Sequence, residues 1–276
     1  MVSDDIGTTD GSVIYFNTPS QSAQRLFFYP IHLGHFFCDR TYLVDRSSFN
    51  SYLLMFIREG NGFVESGGKK YRLSAGDFLL LDCYRPHKYY TTTGWETYWV
   101  HFDGSVSRKL FEYATQNSLI AKPVNTGRIL QSMNVLLEIF EKELPKNEAY
   151  LSKCLYDLIT EYITASGNTE GLDNPLISTA TKYISGHLEE DIPLEELADR
   201  CQVSPFYFSR IFKSSTGYTP HQYIINMRMN YACHLLAHTN LLVKEITYRC
   251  GFHNVSNFCT AFKKQYGITP KEFRSQ

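Results

Sequence analysis

The sequence predicts an α+β protein, with an N-terminal antiparallel β-barrel that carries a helical hairpin and a C-terminal all-α part built on two helix-turn-helix motifs. Three observations carry this. Between Gln24 and Phe102, short runs rich in β-branched and aromatic residues are broken by glycine turns. From Asn125 the apolar residues move to helical spacing. Near the C-terminus one pattern occurs twice, as LADRCQVSPFYFSRIF at 197–212 and as ITYRCGFHNVSNFCTAF at 246–262.

The runs SYLLMFI, GNGFVES, GGKKYRL, AGDFLLLD and TYWVHF are separated by Gly60-Asn61-Gly62, Gly67-Gly68, Ala75-Gly76-Asp77 and Thr93-Gly94. Strands this short and this regular predict a barrel over about residues 22–110. The segments ILQSMNVLLEIFEKEL and YLSKCLYDLITEYITA then predict two helices within about 126–165, with Pro145 between them. Residues 1–165 make the first domain. SGNTEGLDNP, residues 166–175, is a polar linker, and residues 176–276 make the second domain.

Two domains fit 276 residues, of which 43% are hydrophobic, enough for a core in each. No run of eighteen apolar residues exists and the opening MVSDDIGTTDGS is acidic and polar, so neither a membrane span nor a signal peptide is expected. The expected location is the cytoplasm. Seven cysteines without a CxxC spacing read as reduced, packed thiols. The net charge of −1 divides unevenly: from Pro175 onward 11 Lys and Arg stand against 8 Asp and Glu, a balance of +3, leaving −4 on residues 1–174. An excess this small does not by itself indicate DNA.

The repeated motifs, at 194–214 and 243–265, do. In the first, Ser204 stands where an N-cap belongs, with Pro205 at the first helical position. Phe208, Ile211 and Phe212 recur at helical spacing and face inward, leaving Phe206, Ser209, Arg210 and Lys213 outward. Arg210 suits a bidentate contact to guanine, Phe206 a thymine methyl, and Lys213 and Tyr207 phosphates. In the second motif Asn254 takes the capping position and is also a DNA-contact candidate together with Ser256, Asn257, Thr260 and Lys263, which face outward, while Phe258, Ala261 and Phe262 face inward. These shorter side chains imply more permissive reading and more phosphate positioning.

TPHQYIINMRMNYACHLLAHT predicts one long helix between the motifs, with Tyr223, Ile224, Met227, Tyr231, Leu235 and Leu236 near one stripe. About eighteen residues at 1.5 Å each span roughly 27 Å, which suits two reading helices entering consecutive major grooves about 34 Å apart.

From about Leu176 to Phe273 the chain resembles the DNA-binding domain of AraC-type transcription regulators. The resemblance is carried by Ile246, Gly251, Phe252, Asn257, Phe258, Phe262, Lys263, Gly267, Thr269, Pro270, Phe273 and Arg274. It departs where Thr247 replaces a small alanine and where Asn257 replaces or neighbours a serine. The segment GNGFVESGGKKYRLSAGDFLLLDCYRPHKYYTTTGWETYWVHFDG resembles, more loosely, the cupin-like effector domain of sugar-responsive members, through Gly76-Asp77, Pro86-His87 and Trp99-Val100-His101-Phe102.

The resemblance implies a double-stranded DNA partner, a small effector, RNA polymerase as a further partner, activation as the commoner mode, and a homodimer through helices 128–165. Leu130, Met133, Leu136, Leu137 and Phe140 fit the partner helix of such a dimer, the alternative being a purely intramolecular stripe that covers the barrel. Polar forks with aromatic faces suit a sugar ring, and Arg46, His87, Tyr89, Thr97 and Trp99 are the effector candidates, with Phe28 and Tyr29 as arm residues. No catalytic residue and no cofactor are expected. A cupin enzyme brings an HxH pair and a glutamate to its metal, whereas Tyr52 to Val64 contains no histidine; His32, His35 and Cys38 have a metal-like spacing but read as structural.

Two rival readings remain. In one the barrel only dimerises and the regulator is ligand-independent; in the other a cupin metalloenzyme is fused to the DNA-binding domain. Absence of any sugar-induced stabilisation favours the first, and stoichiometric metal favours the second.

Overall fold

The computed structural model describes residues 2–3, 5–167 and 174–275, and the chain divides into two units, Met1–Thr169 and Glu170–Gln276. Most of the polar stretch 166–175 lies outside the described residues.

The first unit runs β1 (Val13–Phe16), α1 (Gln21–Leu26), β2 (Phe28–Cys38), β3 (Leu43–Arg46), β4 (Tyr52–Ser66), β5 (Lys69–Ser74), β6 (Phe78–Asp82), β7 (His87–Tyr90), β8 (Trp95–Gly104), α2 (Ser107–Ala114), β9 (Ile120–Ala121), α3 (Gly127–Glu141) and α4 (Glu148–Ala165). All strand pairings are antiparallel. β4 organises the barrel because it belongs to two sheets. Its first half, Tyr52–Phe56, pairs with β6 and β8, and its second half, Phe63–Ser66, with β5 and β7. The turn between the halves falls at Gly60, whose φ of +79° and whose missing Cβ, which would lie 2.3 Å from the Gly94 carbonyl oxygen, admit only glycine.

Alternation along the strands separates two cores. Phe36, Leu53, Met55, Ile57, Leu79, Leu81, Tyr89, Trp95 and Trp99 fill the barrel. Their neighbours Tyr52, Leu54, Phe56, Phe78, Leu80, Val100 and Phe102 face outward and are covered by Ile129, Met133, Leu136 and Phe140 of α3 and by Leu151, Leu155, Leu158 and Tyr162 of α4. Each such side chain stabilises the fold by about 1.5–3 kcal/mol relative to exposure.

That second core favours the intramolecular alternative for the stripe of α3. Met133, Leu136 and Phe140 are buried against the sheet, and Leu130 and Leu137 pack on the same cluster, so the apolar stripe of α3 is turned to its own barrel and not to a partner helix. A stripe announces that something covers it, and here the outer face of β4, β6 and β8 does. β1 also precedes the expected start of the barrel, pairing with β2 from Val13↔His35 to Phe16↔His32.

The second unit runs α5 (Pro175–Gly186), α6 (Leu194–Arg200), α7 (Pro205–Thr216), α8 (Pro220–His238), α9 (Val243–Arg249), α10 (Val255–Tyr266) and α11 (Pro270–Arg274). The two motifs are α6–α7 and α9–α10. α7 and α10 each end at a left-handed glycine, Gly217 at φ +77° and Gly267 at φ +80°, and the next helix starts at a threonine-capped proline, Thr219-Pro220 and Thr269-Pro270. Two cores result, one around Phe208 and Phe212 and one around Phe258 and Phe262.

α8 serves both cores. It gives Ile224 to the first and Met229, Ala232, Leu235 and Leu236 to the second. Met229 and Ala232 are fully buried, whereas Met227 and Tyr231, expected on the stripe, are half-buried. A helix that bridges two cores has no single apolar face, so one stripe cannot describe it.

Candidate DNA-reading helices and barrel interior

The reading helix α7 begins as its sequence demands, with the Ser204 hydroxyl accepting from the Tyr207 amide at 3.3 Å. With Phe208 and Phe212 fully buried, Phe206, Arg210 and Lys213 are turned to solvent, Phe206 at 80% exposure. An exposed phenylalanine at the first turn of a capped helix has no packing role to explain it. The Arg210 guanidinium stands 5.7 Å from the ring centre of Tyr207, so both share one face. Ser209 departs from the expected set: it is half-buried at the flank of that face.

On α10, Ser256, Asn257, Thr260 and Lys263 are exposed together, opposite the buried Phe258 and Phe262. The Asn254 side chain accepts from the amides of Ser256 at 2.7 Å and Asn257 at 3.3 Å, so it works as the cap of α10. Thr247, the departure from alanine, is fully buried and donates its hydroxyl to the Val243 carbonyl at 2.8 Å, which leaves no orphaned group. The turns differ in one detail. Gln202 adopts φ +56° in the first motif, where the second has Gly251 at φ +68°. Gln202 is exposed, but a Cβ on Gly251 would lie 2.3 Å from the Leu188 carbonyl oxygen, so only the second turn requires glycine.

Inside the barrel, β8 sends Trp95, Thr97, Trp99 and His101 inward. Thr97 lies between Phe36 and Ile57 in the ladder, and Trp99 between Gly34 and Met55. Gly34 makes room for the indole: a Cβ there would fall 2.7 Å from it. His87 and Tyr89 project inward from β7 with their rings parallel, centroids 6.1 Å apart. His87, Tyr89, Thr97 and Trp99 are all buried; Arg46, on β3, is exposed and reaches the cluster through the ring of Phe49, 4.9 Å from its guanidinium. Burial pushes the Tyr89 hydroxyl well above its ordinary range, with the nearby Cys83 thiol adding to it.

Three of these buried side chains, His87, Trp95 and Trp99, have an unmatched polar atom. His87 Nδ1 lies 2.8 Å from the Arg85 carbonyl, which only accepts, so Nδ1 carries a proton and Nε2 of the neutral ring is a free acceptor. Trp95 Nε1 and Trp99 Nε1, both donors, are also buried without a partner. All three belong to the row of residues lining the barrel.

The sequence reading missed His101, although its two-residue spacing from Trp99 places it on the same face. It is fully buried with Nδ1 2.8 Å from the Ser51 hydroxyl, and burial, the charge of Arg46 and the neighbouring His32 and His87 hold it well below the ordinary histidine value. His32 is lowered by burial and by Arg46. Phe28 and Tyr29 do not join this site. Phe28 packs on the hairpin side against Phe102 and Tyr156, and Tyr29 lies near Asp103, because the irregularity between Pro30 and His32 shifts the facing of the strand.

His32, His35 and Cys38 are separated by the same alternation. His35 turns outward, 2.8 Å from Glu96 and stacked on Tyr98 at 3.9 Å, while Cys38 joins the barrel core. No group of three potential metal ligands occurs among the described residues. Burial pushes the thiols of Cys38 and Cys250 up to about 12, out of the reactive range. No helix of the described residues is long and apolar enough to cross a membrane.

Two family models match this architecture, an AraC-like ligand-binding domain over residues 29–159 and a helix-turn-helix domain over residues 197–276. Among curated proteins the chain is similar to the lactose operon transcription activator of Staphylococcus xylosus, 24% identical over 241 residues, 82% of this chain and 84% of that protein. It is similar to the Msm operon regulatory protein of Streptococcus mutans, 27% identical over 89% of this chain and 91% of the relative, and to the MmsAB operon regulatory protein of Pseudomonas aeruginosa, 25% identical over 90% and 83%. With a ligand-binding model on the barrel and hairpin and a DNA-binding model on the paired reading helices, the chain belongs to the AraC-type transcription regulators.

Proposed function

We propose that this regulator activates a carbohydrate operon and that a sugar bound inside the barrel sets its activity. The observation that carries the reading is the complementary pair of orphaned atoms on the barrel lining, the acceptor His87 Nε2 and the donor Trp99 Nε1, both buried. A sugar hydroxyl is donor and acceptor at once, and the ring's apolar side suits the indole and phenol faces of Trp99 and Tyr89. The similarity to the lactose operon transcription activator of Staphylococcus xylosus supports the same class of ligand and the same direction of control.

α7 and α10 read adjacent major grooves, with Arg210 specifying a base and Lys213 and Lys263 holding phosphates. β8 supports coupling: its inward residues line the effector site, and its outward Tyr98, Val100 and Phe102 pack in the core that holds α3 and α4. A ligand that displaces the strand biases the hairpin directly. Dimerisation through the hairpin would use its exposed side, where Arg128, Gln131, Lys153 and Tyr156 lie. The barrel-side stripe is already covered.

The test is a thermal-shift screen of the full-length protein against mono- and disaccharides. A ligand at a hundred times its dissociation constant adds about 2.7 kcal/mol, several degrees for a domain of this size. A hit lost in Trp99→Phe, which keeps the ring and removes the donor, supports the reading. Silence across the panel defeats it in favour of a barrel that only assembles.

A further inference from the structure

We infer that the effector carries an anionic group, a carboxylate or phosphate on a sugar frame, and that Arg46 receives it; this rests on the proposal that the barrel binds a sugar. Three side chains gather around the ring of Phe49. The His101 ring lies 4.8 Å from it, the Arg46 guanidinium 4.9 Å and the His32 ring 5.4 Å. His32 and His101 are 6.4 Å apart, and His87 stands opposite Arg46 in the β3–β7 ladder. Every chargeable group in this cluster is a nitrogen base.

The cluster has no counter-charge. Among the described residues no carboxylate lies within ion-pair distance of Arg46, and its strand neighbour Asp45 is engaged by Lys88 at 3.3 Å. The nearest standing charge acting on His101 is the guanidinium of Arg46. A guanidinium here repels a metal ion that two imidazoles would otherwise attract, and it disfavours a second positive charge on either ring. A negative group is what it favours. Arginine's planar fork matches carboxylate and phosphate oxygens with two parallel N–H bonds, and the buried, unpartnered His87 Nε2 lies across the ladder from it to fix the polyol end.

The experiment is titration calorimetry of the full-length protein with pentoses and hexoses, each paired with its aldonate, its uronate and its phosphate ester. One anionic member is expected to bind at least about tenfold more tightly than its neutral parent, as charge-assisted hydrogen bonds do. Arg46→Gln should remove that margin, with the ligand-free melting temperature unchanged. The carboxylate and phosphate arms tell the two anion sources apart. A neutral sugar that binds as tightly as its acids overturns the anion and leaves the sugar proposal standing, and a margin that survives Arg46→Gln overturns Arg46 as its receiver. Acetate or inorganic phosphate binding as tightly as the sugar acid overturns the sugar frame, and no heat with any member overturns the inference together with the sugar proposal.

Discussion

The guanidinium of Arg228 donates to the carbonyl oxygen of Glu190 at 2.6 Å. It also donates to Leu188 at 3.1 Å, and Leu188 in turn touches Gly251, the turn glycine of the second motif. One side chain from the middle of α8 therefore joins the loop before the first motif to the turn of the second. Half-buried, it is held below the ordinary arginine value by desolvation, although it keeps its charge.

Arg228→Met is expected to leave two carbonyls unpaired and to loosen the angle between α7 and α10. Removing charge-assisted hydrogen bonds costs about 1.5–3 kcal/mol each. In binding assays on operators with one base pair inserted between the two contact sites, the penalty for the insertion should be smaller in the variant than in the parent. An unchanged penalty would place the rigidity elsewhere.

Gly251→Ala adds a methyl at φ +68° against a backbone oxygen that cannot move without α5 and α6. The expected loss is at least about 2 kcal/mol from left-handed strain plus the clash, read as a lower melting temperature of the second unit. Gln202→Ala, at the corresponding open position, should change stability by less than about 1 kcal/mol.

Arg210→Ala should weaken specific DNA binding by about 1–3 kcal/mol and relax one base position. Lys263→Ala should weaken all sequences alike and lower the slope of affinity against salt by about one. Equal losses for Arg210→Ala on specific and random DNA would remove it from the base-reading set.

Acid should destabilise the first unit through His101. Its folded value is depressed below the ordinary 6.5 by burial, then by Arg46. Above pH 6.5 neither folded nor unfolded form binds the proton, so His101 is neutral to stability. Below it the unfolded chain takes up a proton that the folded barrel refuses, and stability falls by up to about 1.4 kcal/mol per pH unit. Denaturant titrations at pH 7.5, 6 and 5 on the parent and on His101→Gln check this: the parent's decline should be steeper.

How much of this was legible in the sequence follows from how local each signal is. Ser204, Asn254, Gly217 and Gly267 fix helix ends through bonds to residues two to four positions away, so both motifs and their outward faces could be read directly. Asn254, read from the sequence both as the cap and as a DNA contact, is seen as the cap through its oxygen's bonds to two amides. The barrel candidates Thr97 and Trp99 come from the family resemblance; strand alternation puts both on the inward face of β8 and adds His101, two residues from Trp99. The cover of the α3 stripe was not legible, because Met133 and Leu136 meet Leu54 and Leu80, far away in the chain. Nor was the facing of Phe28, which depends on an irregularity that leaves no compositional trace.

The most direct test of the account is selection of the preferred DNA from a random library by the full-length protein, followed by footprinting of the selected site. Two unlike sequence elements about one helical turn apart, about 10–10.5 base pairs centre to centre, are expected on one face of the duplex, with the stronger element lost in Arg210→Ala. Enrichment of a single short element, protected over one groove only, would contradict a chain that reads DNA with both α7 and α10.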